Sequence, residues 1–283
     1  MRRARPLLGT LVEVRAQGLA PERLRAAVDV AFAEVEAVHR LMSFHDSASD
    51  LAALNRNAYA APVEVDPRTY EVFEAAQQMA AASNGAFDVT VGAYLQAWGL
   101  LPGDAEACEQ GASWRDIELL ERSRVRYRRR LRVDLGGIAK GYAVDRAIAI
   151  LRAAGVAAGQ VNAGGDLRVF GAHPSPIRLR SPADPANSMH GLLLRDEALA
   201  TSALYYSRPH GCSWLVDPHS ASAWNGESSV SVRAPACTLA DALTKVVMFA
   251  EPAVSDRVLE TYAACAYVQT ALPGPEPSGT AAC

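Results

Sequence analysis

In the stretch VDLGGIAKGYAVDRA, residues 133–147, a carboxylate (Asp134), two glycines (Gly136 and Gly137) and a lysine (Lys140) stand together at the start of a helical pattern. Backbone N–H groups and a cation gathered at a helix start make an anion site. The same pattern also describes a plain strand-to-helix turn with a solvated lysine, and neither Walker A nor GxGxxG spacing is present to decide between them. In APACTLADALTKVVMFA, residues 234–250, Asp241, Thr244 and Lys245 fall at i, i+3 and i+4, on one polar helix face. With Thr238 as N-cap, Asp241 at N3 completes a capping box, which is a sufficient structural reason for both. An oxygen-bearing face at a helix start also suits Mg²⁺, which takes one or two protein oxygens and shares phosphates and waters. Two further elements are read first as structure: VNAGGDLRVFG, with Ala163-Gly164-Gly165-Asp166, as a hairpin turn, and Phe87 of NGAFDVTVG as core, although an aromatic beyond a helix end can face a flat ligand.

These residues must be positioned by regular elements, and the apolar periodicity supplies them. GTLVEVRA alternates as a strand does. In the segment after it, Leu24, Val28, Ala31, Val35, Val38 and Met42 recur at spacings of three and four, which predicts an amphipathic helix. Asp66 as N-cap, Pro67 at the first position and Asn84-Gly85 at the end bracket a second helix. A third runs from about Ile138 to Ala154 and stops at Gly155. LRVDL, GQVNA, DLRVF and SVSVRA read as strands, so the expected fold class is α/β (mixed α+β), with mixed sheets flanked by helices. One domain over residues 1–270 is expected, followed by a Pro-, Gly- and Ser-rich tail, residues 271–283, whose composition predicts disorder.

The net charge is −3 and the pI about 6.1, which removes the general electrostatic case for a nucleic-acid partner. Locally, seven arginines lie between Arg122 and Arg132, but Val125, Tyr127, Leu131, Val133 and Leu135 alternate through them, as in a hairpin with a solvated basic face. Five cysteines without a CxxC suggest neither a disulfide framework nor a zinc site. The start, MRRARPLLGTLVEVRA, lacks a signal-peptide core, and no stretch reaches the length of a membrane helix, so a cytoplasmic location is expected.

Taken in order, PLLGT, MSFHDSASDLAALN, GAFDVTVG, VDLGGIAKGYAVDRA, VNAGGDLRVFG, ALATS, LVDP and APACTLADALTKVV resemble the ApbE-type FAD:protein FMN transferases, from about Pro6 to about Ala250. The resemblance implies that fold, with FAD in a central cleft, and a Mg²⁺-dependent reaction. FAD pyrophosphate is cleaved, FMN passes to a Ser or Thr hydroxyl of an acceptor protein, and AMP is released. It further implies that FAD contacts Leu8, His45, Ala86, Phe87, Asp88, Asp134, Lys140 and Val216, and that Gly137, Asp241 and Thr244 hold the metal. Asp241, Lys140 and Lys245 are the expected catalytic residues.

The chain departs from the family pattern in three places. Trp214 stands where many members have a histidine three residues before the aspartate of the DP motif, with His210 and His219 nearby as ordinary loop histidines. Lys245 stands where a threonine is usual, which leaves Thr244 to reach the metal from i+3, or gives Lys245 either an ion pair with Asp241 or a role at the phosphates that partly substitutes for the cation. The export signal common in the family is not seen. Two other readings stay open: an FAD pyrophosphatase, with water as acceptor, and a non-catalytic FAD-binding protein.

Overall fold

The computed structural model describes residues 1–103, 108–180, 188–203, 214–226 and 228–270. The chain begins with a hairpin, β1 (Arg2–Leu7) and β2 (Thr10–Gln17), closed by Leu8 and Gly9, both in the left-handed region at φ 56° and 69°. A turn with two left-handed residues matches strand twist, at some steric cost for a leucine. Next comes α1 (Pro21–Met42), whose predicted stripe, Leu24 to Met42, is buried throughout. Each large side chain on it contributes roughly 1.5–3 kcal/mol. Then follow α2 (Asp50–Asn57), β3 (Val63–Glu64) and α3 (Pro67–Ala82), which is capped by the Asp66 side chain and stopped by left-handed Asn84 and Gly85. The short α4 (Gly92–Ala97) precedes the arginine-rich hairpin β4 (Ile117–Leu120) and β5 (Arg124–Tyr127), which pairs with β3 in a small sheet. In β5, Val125 and Tyr127 are buried while Arg124 and Arg126 are exposed, as the alternation predicts.

After α5 (Ala139–Ala153), ended by left-handed Gly155, come β6 (Ala158–Ala163) and β7 (Asp166–Phe170). They are joined by Gly164 and Gly165, at φ 69° and 115°, so the AGGD hairpin is present. The hairpin β8 (Ser175–Arg180) and β9 (Ser188–Leu194) follows, then β10 (Ala198–Ser202), the short pair β11 (Val216–Asp217) and β12 (Ser222–Ala223), and β13 (Ser228–Ala234). The last elements are α6 (Cys237–Phe249), α7 (Pro252–Thr261) and β14 (Cys265–Thr270). The expected tail, residues 271–283, lies outside the described residues.

Seven strands form the main sheet in the order β1-β2-β6-β7-β10-β13-β14, with every pair antiparallel. The helices cover it in sequence: α1 lies on β1 and β2, α5 on β6 and β7, and α6 on β10 and β13. One continuous apolar core joins them, and a smaller cluster around Leu167, Val169, Ile177, Leu179 and Leu194 packs under the β8–β9 hairpin.

LRVDL does not form the expected strand. It is an extended segment with a single bridge, Arg132 to Val91. Its backbone groups are satisfied from elsewhere: the Asn55 side chain bonds both the N–H and the carbonyl of Val133, and the Asp134 N–H donates to Val89. The expected capping box at α6 is also absent. Ala236 is the N-cap, and Asp145 of α5 does the capping, accepting from the Cys237 N–H, the Thr238 N–H and the Thr238 hydroxyl.

Candidate active site

The α5–α6 contact builds the site. Gly141 lets the helices approach so closely that a Cβ there would lie 2.3 Å from the Cys237 carbonyl oxygen and 2.9 Å from Cβ of Asp241. This contact brings the Asp241 Oδ2 within 3.1 Å of the Gly141 N–H. Asp241 is 1% exposed, and Lys245, one helical turn on, donates to its Oδ1 at 2.5 Å and to its carbonyl oxygen at 3.0 Å. Lys140 lies on the other side, 3.8 Å from Asp241 Oδ2 and 2.6 Å from Oδ2 of Asp166. Asp166 enters from the start of β7, immediately after the Gly-Gly turn, and its Oδ1 accepts from the Thr201 N–H.

Charge and burial set the protonation of this cluster. Burial alone would raise the Asp241 pKa, but Lys140 and Lys245 outweigh it and hold the carboxyl below the usual range. Burial likewise opposes the charged form of Lys140, and Asp166 and Asp241 reverse that, so its pKa is raised. Both groups are ionised at neutral pH, while burial raises the Asp166 pKa against the pull of Lys140 and Lys245.

Lys140 and Lys245 form part of the wall of a cavity of about 290 Å³, at the lower end of the range for small-molecule sites, so a dinucleotide would extend beyond it. Ala86, Phe87 and Asp88 line it from the turn after α3, Asp134, Gly136 and Gly137 from the loop before α5, and Thr201 and Ser202 from the end of β10. Trp214 and Val216 close another side. The Asp134 carboxyl accepts from the Gly136 N–H, and its pKa is raised by burial against the pull of His45, Lys140 and Lys245. Asp88 is also raised by burial. Its oxygens are engaged by Thr90 and by the Trp114 N–H, so it braces the turn from within.

Of the expected residues, Ala86, Phe87, Asp88, Asp134, Gly137, Lys140, Val216 and Lys245 therefore meet at one cavity, with Asp241 directly behind the two lysines. Leu8 and His45 are not among the lining residues: Leu8 sits in the β1–β2 turn, and exposed His45 acts on Asp134 through its charge. Asp166, read only as a turn residue, is the partner of Lys140; the AGGD stretch marked its turn, while its ion pair required the sheet to be assembled. Trp214 lies on the cavity wall where the family histidine is expected, His219 is exposed, and His210 lies outside the described residues.

Two of the three expected magnesium donors, Asp241 and Thr244, are engaged by other groups, while Gly137 lines the cavity. Lys245 and Gly141 hold the two Asp241 oxygens. The Thr244 hydroxyl is buried, donates to the Asp241 carbonyl at 2.7 Å and lies 2.7 Å from the Ser202 hydroxyl. Among the described residues, no group of three or more His, Cys, Asp or Glu is placed to hold a metal.

No helix among the described residues is long and apolar enough to cross a membrane. The sequence profile of the ApbE family matches residues 8–268. The FAD:protein FMN transferase of Rhodobacter capsulatus is 32% identical over 256 residues, covering 83% of this chain and 49% of the relative, so the chain spans about half of that protein's length. The FAD:protein FMN transferase of Treponema pallidum is 28% identical over 276 residues, covering 85% of this chain and 76% of the relative. The crystal structure of the ApbE protein from Thermotoga maritima superposes with a TM-score of 0.81 at 28% identity, covering 95% of this chain and 93% of that one. The matched region contains every cavity-lining residue described above, and the chain belongs to the ApbE family.

Proposed function

We propose that the chain binds FAD at this cavity, cleaves its pyrophosphate and transfers the FMN half to a serine or threonine hydroxyl of an acceptor protein. The observation that carries this reading is the pair of ammonium groups, Lys140 and Lys245, set on buried carboxylates in the wall of a cavity that also presents Phe87 and Trp214. The hydroxyl oxygen attacks the phosphorus on the riboflavin side. The bond from that phosphorus to the bridging oxygen breaks, AMP leaves with that oxygen, and the hydroxyl proton is lost to a base or to solvent. Such a transfer depends on positioning and on neutralising charge at phosphate oxygens, more than on covalent help from the protein.

Lys140 and Lys245 supply the positive charge, and Gly136 and Gly137 line the same cavity. Asp134 faces the same space, and its raised pKa brings it nearer the working range of a general base. The magnesium implied by the resemblance disagrees with the side-chain arrangement, so the reaction as proposed runs on the chain's own cations.

Trp214 favours one second reading. With an indole where an imidazole is expected, water entering the cavity is an alternative acceptor, and the product would be free FMN. Incubation of the protein with FAD, assayed for AMP by chromatography and for flavin on candidate acceptor proteins by in-gel fluorescence, separates the readings. Transfer gives AMP and a fluorescent band. AMP with free FMN alone assigns the pyrophosphatase, and saturable FAD binding without AMP assigns a non-catalytic flavin-binding protein.

A further inference from the structure

Lys245 occupies Oδ1 of Asp241, the carboxylate expected to hold a divalent ion. Its ammonium is bonded at 2.5 Å to the carboxylate oxygen Oδ1 and at 3.0 Å to the carbonyl one turn back, and its side chain is only 14% exposed. Its stem crosses Gly137, where an added Cβ would lie 3.4 Å from Lys245 Cε. The charged end is thus fixed between the loop before α5 and the start of α6, and it faces the cavity. The remaining Asp241 oxygen is held by the Gly141 N–H with Lys140 at 3.8 Å, and Thr244 is turned toward Ser202.

Charge makes the same point. A divalent ion beside this ammonium would meet like-charge repulsion, so the ion and Lys245 compete for Asp241.

We propose that the Lys245 ammonium is a built-in replacement for a divalent cation, so that two lysines grip the FAD pyrophosphate and its cleavage needs no divalent metal. This rests on the FAD cleavage proposed above. Lys245 polarises the phosphate oxygens while Lys140 neutralises charge developing on the departing AMP. The bond changes are those already described, and no additional reactant enters.

The test uses the full-length protein freed of metal with EDTA. AMP release from FAD is measured with EDTA and with millimolar Mg²⁺, and Mn²⁺ binding without FAD is read by electron paramagnetic resonance. The expected result for the native protein is a rate that changes by no more than about twofold between the two conditions, and no bound Mn²⁺. Lys245→Thr is expected to be silent in EDTA, to recover with Mg²⁺, and to bind one Mn²⁺; Lys245→Ser serves if Lys245→Thr does not fold. Native activity that disappears in EDTA and returns with Mg²⁺ overturns the proposal. If the native protein releases no AMP under either condition, the FAD-cleavage reading fails, and Mn²⁺ alone decides this one. Native protein that binds Mn²⁺, or native and substituted proteins that both fail to bind it, counts against the proposal, whereas Mn²⁺ bound only after substitution supports it.

Discussion

The chain carries two concentrations of positive charge, and they are built in opposite ways. Around β5, from the turn before it to the segment after it, seven arginines lie from Arg122 to Arg132. Arg124 and Arg126 point to solvent, Arg128 pairs with Glu118 while 61% exposed, Arg129 pairs with Glu109, and Arg130 lies over the Tyr59 ring. At the α5–α6 junction there are only two lysines, but each is set against a carboxylate less than a tenth exposed and each faces a cavity. In the first region water screens the charges, and the pairs contribute little. In the second, the buried carboxylates behind it hold the Lys140 ammonium charged at the cavity wall, where a ligand's phosphates would meet it. The density of charge in a sequence therefore says less about a site than its burial and its counter-ions.

The sharpest way to break this contrast is to remove one member of the buried pair. Lys245→Met leaves Asp241 with Lys140 at 3.8 Å as its remaining cation and is expected to cost about 3–5 kcal/mol of stability at pH 7, measured by urea unfolding. The pH dependence has a definite sign. The Asp241 pKa is lowered in the folded protein, so its stabilisation is present above the ordinary carboxylate pKa and is lost as pH falls through the folded value. The difference between native and Lys245→Met proteins should accordingly shrink below about pH 4.

Lys140→Ala is expected to lower the rate of AMP release from FAD by about 10²–10³ while circular dichroism stays unchanged. Gly141→Ala forces a methyl group against the Cys237 carbonyl and Cβ of Asp241, and should cost about 1–3 kcal/mol in the same unfolding assay. At the small end, Arg126→Ala is expected to change stability by less than about 0.5 kcal/mol.

What could be read from the sequence follows the same division between local and distant causes. The helices α1, α3 and α5 and the β6–β7 hairpin were legible because their determinants are local: a periodic apolar stripe, Asp66 with Pro67, Gly155, and the Gly-Gly turn. LRVDL failed as a strand because apolar alternation reports burial, and burial is the same whether the backbone is paired by a ladder or by the Asn55 side chain. The Thr238–Asp241 capping box failed because Asp145, ninety-two residues before Cys237, takes the cap and frees Asp241 to meet the lysines. In the site, the residue types at positions 134, 140 and 241 were legible, but the Lys140–Asp166 pair was not, since it joins a helix start to a hairpin only after the sheet has formed.

The most direct measurement compares AMP release from FAD by the native protein, Lys140→Ala and Arg126→Ala under one set of conditions. The account predicts that native protein and Arg126→Ala release AMP at rates within about twofold of each other, while Lys140→Ala falls by about a hundredfold or more. Equal rates for native protein and Lys140→Ala, or a comparable loss in Arg126→Ala, would contradict it.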